Sequence, residues 1–236
     1  MGKDICLFER KELKYLVSQS QWENLLPSIG SHIRTDDYHK YTICNLYMDT
    51  PDYRLIRRSL EKPVYKEKLR LRSYGPAGVN DGIFLELKKK YKGVVYKRRT
   101  RMPLGDALRF ISGEGTECSQ IEREIRYFLN QNGEIAPVMF ISYDREAWHG
   151  KEDPALRITL DDNILWREEE PDLSTRPYGN SLLSPGQRLV EIKCAGSMPL
   201  WLTEALSRNR IYKTSFSKYG QAYARRGIGN IERKAC

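Results

Sequence analysis

The sequence predicts an α+β protein in which an antiparallel eight-stranded tunnel β-barrel carries a charged lumen, with helices packed outside. Three observations lead there. The first is strict alternation of charge and leucine in Lys68-Leu69-Arg70-Leu71-Arg72, resumed in Phe84–Lys90 and followed in Val95–Arg101 by a third charged row, Lys97, Arg99 and Arg101. Successive strand residues face opposite sides, so Lys68, Arg70 and Arg72 share one face and Leu69 and Leu71 the other. The second is that the basicity is local. From Lys62 to Arg101 there are 13 Lys/Arg against 3 Asp/Glu, an excess of +10 in a chain whose total is +9. The third is the scarcity of helical crossovers long enough to join parallel strands, which favours antiparallel pairing. Closing the sheet on itself removes its edges.

The charged rows constrain which face is inside. Like charges opposed across strands destabilise a sheet, so three such rows call for a polyanion to neutralise them. The Leu, Val and Tyr rows need cover, and helices on the outside can give it. The cations then point into the lumen, at a cost unless water, counter-ions or substrate fill it.

Composition narrows the function. A chain of 236 residues with pI near 9.2 and mean hydropathy −0.63 suits one domain, taken as residues 1–236 with a core at about 8–223. No 18-residue apolar run is present, and Met1–Cys6 lacks the apolar core of a signal peptide. A myristoylation motif would want Ser or Thr where Cys6 stands. The five cysteines, Cys6, Cys44, Cys118, Cys194 and Cys236, form no CxxC pair, which argues for reduced thiols in a cytoplasmic setting. The absence of GxSxG leaves a Ser-His-Asp hydrolase unsupported.

The elements follow in order. Phe8–Val17 reads as an opening strand, with Arg10, Glu12 and Lys14 on one face. Ser20 starts a short helix that Pro27 stops. Thr42–Met48 is a strand, Tyr53–Leu60 a short helix, and the three basic strands come next, separated by Gly75–Gly78 and Lys92-Gly93. Leu104–Ile111 and Gln120–Leu129 have helical spacing. Strands at Val138–Arg145, Leu156–Leu160 and Arg188–Cys194 precede helices at Pro199–Leu206 and about Phe216–Arg225. Glu168–Gly186, rich in proline and acids, is a loop.

Seven motifs in this order, Arg10-x-Glu12-x-Lys14-Tyr15, Leu69-Arg70-Leu71-Arg72, Glu86-Leu87-Lys88, Tyr96-Lys97-x-Arg99, Tyr143-x-Arg145, Val190-Glu191-Ile192-Lys193 and Ser217-Lys218-Tyr219, resemble the vacuolar transporter chaperone (VTC) domain. That domain is the polyphosphate polymerase branch of the triphosphate tunnel metalloenzyme (CYTH-like) superfamily. The resemblance implies an eight-stranded tunnel that binds tri- and polyphosphate and transfers the γ-phosphoryl of ATP to a growing polyphosphate chain, with Mn²⁺ or Mg²⁺. By position, Arg70, Arg72, Lys88 and Arg145 resemble the residues at the reacting phosphates. Lys14, Lys97, Arg99, Lys193, Lys218 and Tyr143 match phosphate-binding positions, although Tyr143 also suits a core role. Glu191 resembles the metal ligand, with Glu12 and Glu86 as second choices; the alternative for Glu191 is an ion pair with a neighbouring cation such as Lys193. The tunnel hydrolases carry ExExK in the first strand, and here Arg10 replaces the first glutamate, which favours the polymerase branch.

The same chemistry follows from the residues themselves. Phosphoryl transfer needs positioning and charge neutralisation more than covalent help, which arginine forks and lysine point charges supply. Hydrolysis of tripolyphosphate or a nucleoside triphosphate is the alternative reaction, and a non-catalytic polyanion-binding module is the third. Nucleic acid is not expected as a partner, because Leu and Val rather than aromatics alternate with the cations. The resemblance implies as partners ATP, inorganic polyphosphate or triphosphate, and a separate membrane protein through which the chain would associate with a membrane.

Overall fold

The computed structural model describes residues 10–92 and 94–226. Cys6, Phe8, Glu9, Gly93, Cys236 and the Arg10 side chain, each part of a sequence expectation above, lie outside the described residues. The strands are β1 (Arg10–Ser18), β2 (Ile33–Asp49), β3 (Tyr65–Tyr74), β4 (Gly82–Tyr91), β5 (Val94–Pro103), β6 (Ala136–Gly150), β7 (Arg157–Arg167), β8 (Asn180–Ser181), β9 (Gln187–Ala195) and β10 (Lys213–Thr214). The helices are α1 (Gln19–Ile29), α2 (Arg54–Leu60), α3 (Leu104–Ile111), α4 (Gln120–Asn132), α5 (Leu200–Arg208) and α6 (Lys218–Ala224). The expected α+β class and large antiparallel sheet are present. Among the described residues the sheet has ten strands rather than eight, in the order β10-β1-β9-β7-β6-β2-β3-β4-β5, with β8 on β7, and its hydrogen-bonded path is open. No helix among the described residues is long and apolar enough to cross a membrane.

The chain forms two compact units, each assembled from three segments. The first comprises residues 10–41, 144–163 and 183–216; the second comprises 42–143, 164–182 and 217–226. In the second, the leucine row of the basic strands is wholly buried: Leu69, Leu71, Leu85 and Leu87 are each 0 % exposed. They pack with Leu104 and Phe110 of α3 and Ile125, Phe128 and Leu129 of α4. Each fully buried leucine contributes roughly 1.5–3 kcal/mol, enough for the apolar side to hold the charged rows on the other face. Arg167 of β7 is also buried, its guanidinium 3.9 Å from the Phe140 ring and 4.2 Å from the Tyr178 ring, with Nη2 donating to the Asp172 carbonyl and Thr175 Oγ1. It thereby fastens the segment after β7, which was expected to be only a loop and which includes β8. The first unit has its own core of Tyr15, Val17, Trp22, Leu25, Ile29, Trp148, Ile158 and Ile192.

Several boundaries differ from the sequence reading. Helix α1 is capped by Ser18, not Ser20: Ser18 Oγ accepts from the Gln21 backbone N–H, and Gln21 Oε1 accepts from the Ser18 N–H. Pro27 lies inside α1 and does not stop it. A proline removes one helical hydrogen bond, but Ile29, buried with Trp22 and Leu25, holds the last turn in the core. Strands β2, β6 and β7 each extend well beyond the apolar stretches that marked them, because ladder pairing continues through polar residues. Ser119 and Glu122 form a second reciprocal cap at the start of α4. Replacing Ser119 with Ala should lower stability by about 1 kcal/mol, read by denaturant unfolding.

Candidate functional site

Register brings the charged residues of the second unit together. Across β3, β4 and β5, Arg70 pairs with Glu86 and Glu86 with Arg99, while Lys68 pairs with Lys88 and Lys88 with Lys97. On the other side of β3, Asn45 lies opposite Arg72 and Tyr47 opposite Arg70. Glu86, 1 % exposed, is the hub. Its Oε2 accepts from Arg70 Nε at 2.8 Å and Nη2 at 2.7 Å, and lies 3.9 Å from Arg72 Nε; Lys97 Nζ is 2.6 Å from its Oε1. Burial alone would raise the Glu86 carboxyl, but Arg70, Arg72 and Lys97 overcome it and hold it at about 2. Burial also pushes the Lys97 amine down, against the pull of Glu86. For Arg70, burial opposes the charged form and Tyr47 and Glu86 outweigh it, so its guanidinium stays protonated.

Further polar groups aim these cations. Arg72 Nε donates to Asn45 Oδ1 at 2.9 Å, and its Nη2 donates to the Tyr143 hydroxyl at 3.2 Å. Asn45 is fixed in turn by donating to the Ile141 carbonyl. Arg70 Nη1 donates to the Tyr47 hydroxyl at 3.3 Å. Lys218 Nζ stands 4.3 Å from the centroid of the Tyr143 ring, and Lys68 Nζ donates to Ser217 Oγ at 3.1 Å. Tyr143 is therefore buried, as a core role expects, and its hydroxyl is bonded to Arg72. Arg99 stacks on Phe84, its guanidinium 4.6 Å from the ring, and Arg98 turns to the other face and pairs with Glu124.

The first unit gathers a second group with more acid. In register, Glu12 pairs with Lys193 and Lys193 with Arg157; Lys14 pairs with Glu191 and Glu191 with Thr159. Lys14 Nζ lies 3.2 Å from Glu191 Oε1 and 3.4 Å from Glu12 Oε1, and donates to the Phe216 carbonyl. Arg145 grips Asp161 with Nε and Nη2 at 2.6 and 2.7 Å, and Nη2 also reaches Glu191 Oε2 at 3.2 Å. Burial drives the Lys193 amine below its ordinary value despite the attraction of Glu12 and Glu191, with Arg145 and Arg157 acting in the same direction as burial.

These contacts bear on metal binding. Among the described residues, no group of three or more His, Cys, Asp or Glu side chains is gathered to hold an ion. The carboxylates of Glu191, Glu12 and Asp161 have the hard oxygen donors that Mg²⁺ or Mn²⁺ takes. Such ions keep several waters and bind through one or two carboxylates plus substrate phosphates, so Glu191 fits that limited share. Glu86, held by two arginines and a lysine, is suited to balancing cations. Asn45 and Tyr47, which the sequence did not single out, contact these charged groups, as do Asp161 and Ser217. The signal for the first two was the polar phase of Asn45-x-Tyr47-x-Asp49 in β2.

Solved structures share this architecture. A protein assigned as an adenylate cyclase from Bacillus halodurans superposes with TM-score 0.55 at 14 % identity, covering 89 % of this chain and 95 % of its own. An assigned adenylyl cyclase from Hippeastrum, described as having a dominant triphosphatase activity, gives TM-score 0.55 at 19 % identity over 90 % and 94 %. A third, from Vibrio parahaemolyticus, gives 0.52 at 14 % over 90 % and 96 %. The chain thus shares its fold with these three structures. The VTC domain matches residues 9–226, and the chain belongs to that family. No curated protein matches the chain.

Because the Glu86 carboxyl is depressed to about 2 from an ordinary 4.5, its stabilising effect is complete above pH 4.5 and lost as pH falls through 2. Glu86→Gln should flatten acid unfolding across that window. At neutral pH it should lower the Tm by leaving Arg70, Arg72 and Lys97 without their shared anion. Millimolar tripolyphosphate should restore much of that loss, measured by calorimetry across pH.

Proposed function

We propose that this VTC-family chain is an ATP-dependent polyphosphate polymerase, transferring the γ-phosphoryl group of ATP to the end of an inorganic polyphosphate chain. The observation that carries the reading is the convergence of Arg70, Arg72 and Lys97 on the single carboxylate of Glu86, with Lys68, Lys88 and Lys218 in the same unit. Three cations against one buried acid leave an excess of positive charge that a phosphate chain would neutralise. Family membership and Arg10 at the first position of the ExExK pattern favour polymer synthesis over water as acceptor.

Arg70 and Arg72 would bind phosphoryl oxygens through their guanidinium forks, held in orientation by Glu86, Tyr47, Asn45 and Tyr143. Lys88, Lys97, Arg99 and Lys218 would supply further charge along the chain. In the first unit, Lys14, Arg145 and Lys193 would contact phosphate, and Glu191 would contribute a carboxylate to Mg²⁺ or Mn²⁺. When bound, that ion would neutralise charge developing on the transferring group. Lys14 and Arg145 lie beside the two Glu191 oxygens, so the residue that would hold the ion is flanked by cations that could contact phosphate.

A second reading is hydrolysis of tripolyphosphate or nucleoside triphosphate, favoured by the triphosphatase activity described for the Hippeastrum structure. Incubation with ATP and Mn²⁺ or Mg²⁺ separates the two: ADP with polymer supports synthesis, and ADP with free phosphate supports hydrolysis. Neither product, together with an unchanged Tm in millimolar tripolyphosphate, would overturn both. Arg70→Ala or Arg72→Ala should reduce turnover by at least about 100-fold, the scale of losing an aimed charge at a transition state, while the protein stays folded by circular dichroism. Turnover should also decline on the alkaline side before pH 10.5, because burial makes Lys97 and Lys193 lose their protons earlier than an ordinary lysine.

A further inference from the structure

Behind the cations of the second unit lies a carboxylate with a different set of partners. Asp49, at the end of β2, is 0 % exposed. Its Oδ1 accepts from the Thr50 and Leu55 backbone N–H groups, each at 2.8 Å; its Oδ2 accepts from the Ile56 N–H at 3.0 Å and the Tyr219 hydroxyl at 2.8 Å. Asp49 thus caps α2 from four residues outside the usual capping position. The residue at that position, Tyr53, has φ +59° and its side chain makes no cap bond. The left-handed backbone is uncommon for a non-glycine residue and needs support from its surroundings. Tyr53 finds it by donating its hydroxyl to Glu168, at 2.5 Å.

The Tyr219 hydroxyl is the one contact of this set that reaches α6. Its ring stacks on Tyr47 with centroids 4.4 Å apart, and the Tyr47 hydroxyl accepts from Arg70. Of the two residues before it, Ser217 accepts from Lys68 directly, and Lys218 lies over the Tyr143 ring, whose hydroxyl accepts from Arg72. Three consecutive residues of one short segment therefore touch the surroundings of Lys68, Arg70 and Arg72, and one buried hydrogen bond ties that segment to α2.

We infer that Asp49 is a positioning residue, which through the Tyr219 hydroxyl sets the placement of α6 and hence of Ser217, Lys218 and the Tyr47–Arg70 contact. The inference rests on the phosphate-binding reading of these cations. Asp49 need not touch substrate, since every donor around it belongs to the protein backbone or to Thr50 and Tyr219. The Tyr219 hydroxyl is held protonated by burial and by Asp49, so it remains a donor across the working range.

Tyr219→Phe tests this with the least disturbance, because the ring and its stacking remain. Amide hydrogen exchange should quicken in residues 218–224, and tripolyphosphate should bind about tenfold more weakly, the scale of one hydrogen bond to a charged group. Asp49→Asn should give both effects more strongly, because an amide NH₂ would then face two donors, and it should also quicken exchange in α2. A lower Tm with unchanged exchange in α6 and an unchanged tripolyphosphate Kd in Tyr219→Phe would reduce the contact to a structural one and overturn the inference. Parent protein that fails to bind tripolyphosphate would instead overturn the functional reading, and with it the positioning role, whatever the exchange shows.

Discussion

The crowding of like charge on one face of β3, β4 and β5 is the constraint on which the second unit depends. Strand pairing forces Lys68, Lys88 and Lys97 into one cross-strand row and Arg70 and Arg99 to either side of Glu86. Such rows are unfavourable by themselves, and two compensations permit them. One is the apolar side, where Leu69, Leu71, Leu85 and Leu87 are sealed under α3 and α4. The other is Glu86, whose carboxylate is itself tolerable in a buried place only because three cations surround it. The sheet is thus held together from one face and kept under electrostatic tension on the other. A bound polyanion would relieve that tension.

The two charged groups differ in a way that matters for chemistry. Around Glu86 the cations dominate, and their orientation is set by neutral partners, Asn45, Tyr47 and Tyr143. Around Glu191 the balance is nearer parity: Glu12, Asp161 and Glu191 face Lys14, Arg145, Lys193 and Arg157. Arg145 is committed bidentately to Asp161, so its reach toward Glu191 is a shared contact and the more easily surrendered one. A cation-rich group is suited to holding an anion, and a balanced one to exchanging ion-pair partners.

Much of this was legible in the sequence. Period-two alternation identified the basic strands and put Lys68, Arg70 and Arg72 on one face, because side-chain direction in a strand follows residue parity. The same parity placed Glu191 beside Lys193 on one face. It did not show that the nearest ion partners of Glu191 would be Lys14 and Arg145, since these come from other strands and their register is a long-range fact. Pairing also runs beyond the apolar stretches in β2, β6 and β7, so strand length and the count of ten strands were invisible to a reading based on hydrophobic runs. The cap on α2 was hidden for a related reason. Local capping patterns look to Tyr53 and its neighbours, whereas the acceptor is Asp49, reached only once the turn through Pro51 and Asp52 has folded.

The pairing of β3 with β4 and of β4 with β5 is unbroken over most of each strand's length. In such a ladder one inserted or deleted residue inverts every side chain beyond it. Within β4, that would exchange Leu85 and Leu87 for Glu86 and Lys88, driving charge into the layer beneath the helices and leucine into the charged row. The spacing of residues inside these strands is therefore fixed in the manner of a reading frame. Tolerance for added length belongs to the connections, such as Gly75–Gly78, where no parity has to be kept.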